Sequence, residues 1–229
     1  MSQDDPFKVM RQEMLELVSA ETAQLSARTG HSSLSPRVIE ALARVPRHEF
    51  VPPELRAYAY VNSPLPIGCD KTISQPFIVA LMTEMLDLQE SDSVLEIGTG
   101  LGYQAAVLAE LAAQVYSVDI IEELSAKARK RLDEQGYGRV KLRVGNGYYG
   151  WPEHAPYDKI IATTAPELIP PPLLAQLKPG GRMMVPCGMS ESQQLVLVEK
   201  SSKGALRTTE ILPVRFSVLE EAEKPIAAS

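Results

Sequence analysis

Residues 94–102 read Val-Leu-Glu-Ile-Gly-Thr-Gly-Leu-Gly. A branched apolar run ends there in a loop with glycine at every second position: Gly98, Gly100 and Gly102. Without Cβ atoms, such a loop lets backbone amides come close to a nucleotide-like ligand. Asp119, roughly 20 residues further on, closes the next apolar run and can accept both hydroxyls of a ribose. A dinucleotide and S-adenosyl-L-methionine fit those two features equally. The glycine spacing separates them. Dinucleotide loops run G-x-G-x-x-G, whereas this one runs G-x-G-x-G with Tyr103 next. Glu96, two residues before the first glycine, is expected at the loop mouth. A carboxylate there can meet the free amino group of S-adenosyl-L-methionine and would repel a pyrophosphate. The loop therefore favours S-adenosyl-L-methionine over NAD-linked oxidoreductase chemistry. The bland alternative is a glycine loop that binds nothing.

Other elements must hold that loop in place. Helical periodicity covers residues 6–25 through Val9, Met10, Met14, Leu17 and Val18. Ser35 as N-cap and Pro36 at the first helical position open a second helix, with Val38, Ile39, Leu42 and Val45 on its apolar face. Pro46 ends it. A proline-rich stretch, residues 52–68, follows. A third helix is expected over residues 75–86, with Phe77, Leu81, Met82 and Leu86 in its buried stripe. From Ser93 onward strand and helix alternate. Strands are expected at 93–97, 114–118, 141–144, 157–163, 182–187 and 194–200, and helices at 103–111, 121–135 and 173–177. That alternation gives a doubly wound, mainly parallel sheet with right-handed crossovers. Pro179-Gly180-Gly181 predicts a turn before a strand. Residues 195–216 are expected to form an antiparallel edge, and residues 220–229 to fray.

The 229 residues and 45% hydrophobic composition suit one domain. We divide it into a helical cap and substrate-side segment (1–90), an α/β core (91–219) and a tail (220–229). A net charge of −6 gives nucleic acid no support as a partner. No apolar run reaches the ~20 residues that span a bilayer, and the polar, acidic start reads as no secretory signal. Cys69 and Cys187 lie far apart without CxxC spacing and read as incidental thiols of a reducing cytosol. His31, His48 and His154 are scattered, so no metal is expected. The expectation is a cytoplasmic monomer.

Pro64-Leu-Pro-Ile-Gly68 and Thr72-Ile-Ser-Gln-Pro76 precede the glycine loop by about one helix. With them come Pro46-Arg-His-Glu-Phe-Val51, Ala59-Tyr60, Gly145-Asn-Gly147, Trp151, Thr164-Ala-Pro166, Leu177-Lys-Pro-Gly-Gly181, Val185-Pro186 and Val214-Arg-Phe216. Over nearly its whole length the chain resembles the protein-L-isoaspartate O-methyltransferases. The Thr-Ile-Ser-Gln-Pro element discriminates, because glycine loops occur across all methyltransferases that use S-adenosyl-L-methionine. The resemblance implies a Rossmann-like S-adenosyl-L-methionine-methyltransferase fold with extra N-terminal helices. It implies methyl transfer to the free carboxylate of isoaspartyl residues in damaged proteins and peptides, with S-adenosyl-L-homocysteine as product. The ester then collapses, without enzyme, through a succinimide that partly reopens as normal aspartate.

A carboxylate with a pKa of about 4 is ionised at neutral pH and needs no base before it attacks a sulfonium methyl. Alignment is then the task, and it can supply roughly 7–11 kcal/mol. A neutral hydroxyl suits the carboxylate better than a lysine, which would over-stabilise the ground state. The family's functional serine falls on Ser74; the competing structural role is N-cap of the following helix. The resemblance also implies a cofactor shell of Thr72, Ile73, Ser74, Gln75, Glu96, Gly98, Thr99, Gly100, Asp119, Ile120, Gly145 and Asn146. Ile73 would shield the cofactor from water. Gly98, Thr99 and Gly100 would approach its methionine part, and Asp119 its ribose, unless Asp119 only caps the next helix. Gly145 and Asn146 would face the adenine. Tyr148, Tyr149 and Trp151 fit a peptide groove or core packing equally.

Some positions depart from the family pattern. Asn146 and Asn62 stand where aspartate is usual, and Asp70-Lys71 replaces a typical Gly-Gln. An amide at 146 keeps an acceptor but loses a charge-assisted bond, so Asn146→Asp is expected to tighten cofactor binding. The departures at 62, 70 and 71 border the substrate side and leave room for an aspartate methyltransferase dedicated to one peptide. A catalytically silent binding module is the remaining alternative, which the retained Ser74, Gly98, Gly100, Gly102 and Asp119 oppose.

Overall fold

Proline and serine set the first helices. The computed structural model describes residues 5–220. It begins with α1 (Lys8–Gln24), the single turn α2 (Ser26–Thr29) and α3 (Pro36–Arg44). Ser35 Oγ accepts from Val38 N at 3.4 Å, and Pro36 takes the first position of α3, as its sequence predicts. The proline-rich stretch then does something the sequence left unread. β1 (Leu65–Gly68) pairs antiparallel with β2 (Lys71–Ile73). The two turn residues, Cys69 and Asp70, have φ of +52° and +54°. Positive φ at both positions matches the twist of a two-residue hairpin. Neither residue is glycine, so the usual signal of such a turn is missing.

α4 (Pro76–Leu86) follows. Its N-cap is Gln75, which gives no side-chain bond. The amide of Phe77 instead donates to Asn62 Oδ1 at 2.9 Å, while Asn62 Nδ2 donates to Glu21 Oε2 at 2.6 Å. A side chain from the preceding loop therefore caps α4 and ties it to α1. Ser74 is not the cap, and its hydroxyl is left out of that task. An aspartate at 62 would set two carboxylates against each other, so Glu21 accounts for the amide found there.

The alternating region comprises β3 (Ser93–Ile97), α5 (Tyr103–Leu111), β4 (Gln114–Asp119), α6 (Glu122–Glu134), β5 (Lys141–Val144), β6 (Tyr157–Ala162), α7 (Pro171–Gln176), β7 (Leu177–Met189), β8 (Ser192–Lys200) and β9 (Leu206–Val214). The sheet order is β5-β4-β3-β6-β7-β8-β9. Pairs from β5 to β7 are parallel; β7–β8 and β8–β9 are antiparallel. The chain moves one way from β3 to β4 and the other way to β6, so β3 is the switch point. Ligands of open α/β sheets bind outside the carboxyl ends of strands at such a point. The glycine loop follows β3 directly.

Two expectations are corrected. α7 starts at Pro171, ahead of the expected 173. The Pro179-Gly180-Gly181 turn lies inside β7, not before it: Leu177 opposes Tyr157 and Arg182 opposes Lys159, so the extra residues bulge out. Gly180 has φ +83°, and a Cβ on Gly181 would lie 2.7 Å from Asp158 O. Of the expected tail, residues 221–229 lie outside the described residues.

The N-terminal helices share a core with the sheet. Met14, Leu42, Leu81 and Leu108, from α1, α3, α4 and α5, are all buried in one cluster. Tyr157, Leu173, Met183 and Val185 fill the opposite face. Burying one such side chain contributes about 1.5–3 kcal/mol. Among the described residues no helix is long and apolar enough to cross a membrane.

Because Asn62 caps α4, Asn62→Ala should lower unfolding free energy by about 1 kcal/mol in urea titrations. Ser74→Ala should change it by less than about 0.5 kcal/mol. The reverse order would return the capping role to Ser74.

Candidate active site

The glycine loop is fixed on both flanks. Gly98 N donates to Val118 O at 2.8 Å, and Thr163 N donates to Ile97 O at 2.8 Å. Thr163 Oγ1 also donates to Gly98 O at 2.6 Å. A Cβ on Gly98 would lie 2.5 Å from that hydroxyl, and its φ is +96°, so both space and backbone require glycine. Asp119 holds the far side of the loop. Its Oδ2 accepts from Gly100 N at 2.8 Å and its Oδ1 from Ile121 N at 2.9 Å. The capping and the loop-side roles of Asp119 therefore coexist. Burial raises its pKa while the two amides pull it back toward the ionised form. Each carboxylate oxygen keeps a further lone pair for a ligand hydroxyl.

A narrow cavity of about 60 Å³ opens at this point, with Gly98, Gly100, Asp119 and Ile120 on its walls. Thr72 and Ser217 also line it. Its roof is the strap of residues 217–220. Ser217 O accepts from Ala165 N and Leu219 N donates to Ala165 O, both at 2.8 Å. An ion pair between Lys71 and Glu220 latches the strap to β2. A broader groove of about 490 Å³ lies alongside, lined by Ser74, Gln75, Phe77, Ile78, Arg215 and Phe216. Thr72 and Thr163 border both spaces. A small pocket joins them, and Ser74 lines it together with Ile73, Gly98, Thr99 and Gly100. Ser74 thus stands where cavity and groove meet.

Most of the expected shell gathers here. Thr72, Gly98, Gly100, Asp119 and Ile120 line the cavity, and Ile73, Ser74 and Thr99 the joining pocket. Gln75 lines the groove with Ser74 and Phe77 and is not on the cavity wall; its side chain gives α4 no capping bond, which comes from Asn62. Gly145 and Asn146 do not line the cavity either; Gly147 does. Asn146 Oδ1 accepts from Tyr148 N at 2.9 Å, because the side chain caps the short turn Gly147–Tyr149. Trp151 packs edge-on to Tyr116 and His154, which supports its packing role.

Glu96 is the largest correction. It is 0% exposed, because a central parallel strand is covered on both faces. Ser117 Oγ donates to its Oε2, Thr99 Oγ1 lies 2.6 Å from the same hydroxyl, and Oε1 has no partner. Burial pushes its pKa to about 8, so at neutral pH it is mostly protonated. Charge repulsion of a pyrophosphate by Glu96 is therefore not what selects the ligand. Thr163 was not expected at the site. The switch-point rule could have found it, because it follows β6 next to β3. The segment from Ser217 to Leu219, which the family resemblance implies closes over the substrate side, lies over the cavity as part of the strap.

Comparisons with known proteins agree. The family profile described as protein-L-isoaspartate(D-aspartate) O-methyltransferase matches residues 22–224. A Polaromonas protein called protein-L-isoaspartate O-methyltransferase 1 is 60% identical over 95% of this chain and 92% of its own length. A solved protein-L-isoaspartate O-methyltransferase superposes with a TM-score of 0.79 at 30% identity, over 92% of this chain and 66% of that one. A Plasmodium falciparum structure in complex with S-adenosyl-L-homocysteine shares the fold, with a TM-score of 0.78 at 17% identity over 92% and 98% of the two chains.

Folded Glu96 holds its proton more tightly than unfolded glutamate. Its stabilising contribution is complete below about pH 4.5 and is lost as pH rises through about 8. Glu96→Gln abolishes that titration. Its melting temperature relative to wild type should therefore climb between about pH 5 and about pH 9. A constant difference across that range would show that Glu96 is already ionised in the fold.

Proposed function

The chain belongs to the protein-L-isoaspartate(D-aspartate) O-methyltransferase family, and from that premise we infer that Ser74 orients the substrate carboxylate at the junction of cavity and groove. The protein is a carboxyl O-methyltransferase that methylates isoaspartyl residues of damaged proteins and initiates their repair. S-adenosyl-L-methionine, when bound, supplies an electrophilic methyl on a positively charged sulfur and leaves as S-adenosyl-L-homocysteine.

The residues fit that ligand. Asp119 offers two carboxylate oxygens at the cavity wall, each already steadied by one amide. The close approach at Gly98 and the apolar Ile120 suit a flat, partly apolar ligand. Thr72 and Thr163 form the passage to the groove. The observation that carries the mechanism is the place of Ser74 on the joining pocket, beside Gly98 and Gly100 and open to the groove. Its hydroxyl is not spent on capping α4. It can donate to one carboxylate oxygen while the other faces the methyl. One oxygen–carbon bond forms, one carbon–sulfur bond breaks, and no proton moves. The site accordingly needs no general base. Ile73 on the joining pocket and the strap over the cavity would limit the access of water, which strengthens a single hydroxyl contact.

The groove is wide enough for a peptide, with Phe77 and Phe216 as apolar walls and Glu21 and Arg215 as charges. We place the protein in the cytoplasm as a monomer; its two free cysteines suit a reducing compartment.

Methyl transfer from labelled S-adenosyl-L-methionine to an isoaspartyl peptide should exceed transfer to the matching aspartyl peptide by about 10²-fold or more. Ser74→Ala should bind S-adenosyl-L-methionine as wild type does by calorimetry, yet lose about 10²-fold in kcat. Comparable rates on both peptides would replace repair with another carboxyl target, and full turnover in the variant would take Ser74 out of the mechanism.

A further inference from the structure

Arg47 is wholly buried, and no carboxylate among the described residues pairs with it. Its Nε donates to Ala59 O at 2.8 Å and its Nη2 to Ser74 O at 2.7 Å. The guanidinium lies 4.8 Å from the centre of the Tyr103 ring. Neither its Nη1 nor the buried Tyr103 hydroxyl has a partner at hydrogen-bonding geometry, although the nearby Tyr103 side chain favours the charged guanidinium. Burial lowers its pKa only to about 10, so it remains a cation at neutral pH. A buried charge without a counter-ion is strongly unfavourable unless something offsets it. Its two donated bonds satisfy the Ala59 and Ser74 carbonyls, but they supply no negative charge against the guanidinium.

The position of the charge gives it a use. Arg47 joins three segments of the site: the loop ending at Ala59, the backbone of Ser74, and Tyr103, which opens α5 directly after the glycine loop. Tyr103 and Ser74 both line the joining pocket. We propose that Arg47 is a positioning residue for methyl transfer: it pins the Ser74 carbonyl so that the hydroxyl faces the junction, and its uncompensated charge draws the substrate carboxylate toward Ser74 without contacting it. Attraction at a distance suits this reaction. A direct ion pair would lower the energy of the attacking carboxylate more than that of the transition state, in which its charge is being neutralised. A planar fork holding two carbonyls fixes the backbone, which a lysine ammonium cannot reproduce. This role rests on the carboxylate-methylating function above, because only an anionic substrate gives the charge a counterpart.

Arg47→Lys keeps the charge and loses the fork; Arg47→Gln keeps a donor and loses the charge. Both are tested as the full chain, with S-adenosyl-L-methionine affinity by calorimetry, melting temperature, and steady-state kinetics on an isoaspartyl peptide. Both variants should bind S-adenosyl-L-methionine within about threefold of wild type. Arg47→Lys should lose about tenfold or more in kcat with peptide KM within about threefold, and Arg47→Gln should in addition raise peptide KM about tenfold. A purely structural role would lower melting temperature and leave this division of KM and kcat absent. Wild-type kcat in Arg47→Lys overturns the pinning role, and wild-type KM in a folded Arg47→Gln overturns the role of the charge. If Arg47→Gln does not fold, kcat of Arg47→Lys decides. Wild type that fails on the peptide would remove the function itself; active wild type with unaffected variants would remove only Arg47.

Discussion

The carboxylate of Asp119 takes one amide hydrogen from Gly100 and another from Ile121. Those two bonds join the loop after β3 to the start of α6, and so fix the mouth of the cavity between neighbouring strands. The same side chain lines the cavity, so it both shapes the site and offers acceptors at its wall. Everything else at the site is arranged around this fixed edge. Thr163 closes the loop from β6, β2 brings Thr72 and Ile73 across from the other side, and the strap covers the opening.

The buried charges divide according to the chemistry. Glu96, beneath the loop, is kept mostly neutral by burial and adds little negative charge near a cationic sulfur ligand. Arg47, bonded to the Ser74 carbonyl, stays positive. Asp119, ionisable and held by two amides, faces the cavity itself. No group in this set is placed to carry a proton between substrate and solvent. That suits a nucleophile that arrives already ionised and requires orientation and dryness in place of acid–base help.

Two departures from the family pattern acquire physical reasons. Asn62 bonds the α4 amide with its oxygen and Glu21 with its nitrogen, and only an amide can do both at once. Lys71, at the end of the hairpin, pairs with Glu220 of the strap. That pair is partly exposed and of modest strength, but it lies over the cavity and links two segments far apart in sequence. The structure offers no comparable reason for Asn146, whose side chain serves its own turn.

The alternating strands and helices, the glycine loop, the acid after β4 and the Thr-Ile-Ser-Gln-Pro element are all legible in the order of residues. All of these are local patterns of periodicity, spacing and residue type. That order could not place Glu96, because a carboxylate two residues before a loop looks the same whether it points to solvent or into a covered sheet. It could not choose between the two roles of Ser74, since the competing cap, Asn62, comes from a separate segment. Nor could it show that Gln75 lines the groove, because which way a residue faces at the end of an element depends on neighbours far away in the chain. The hairpin at residues 65–73 lacked glycine at its turn and so lacked its signal. Which groups meet at the junction follows from the folded arrangement, because burial and long-range hydrogen bonds set the charge of Glu96, the freedom of the Ser74 hydroxyl and the isolation of Arg47.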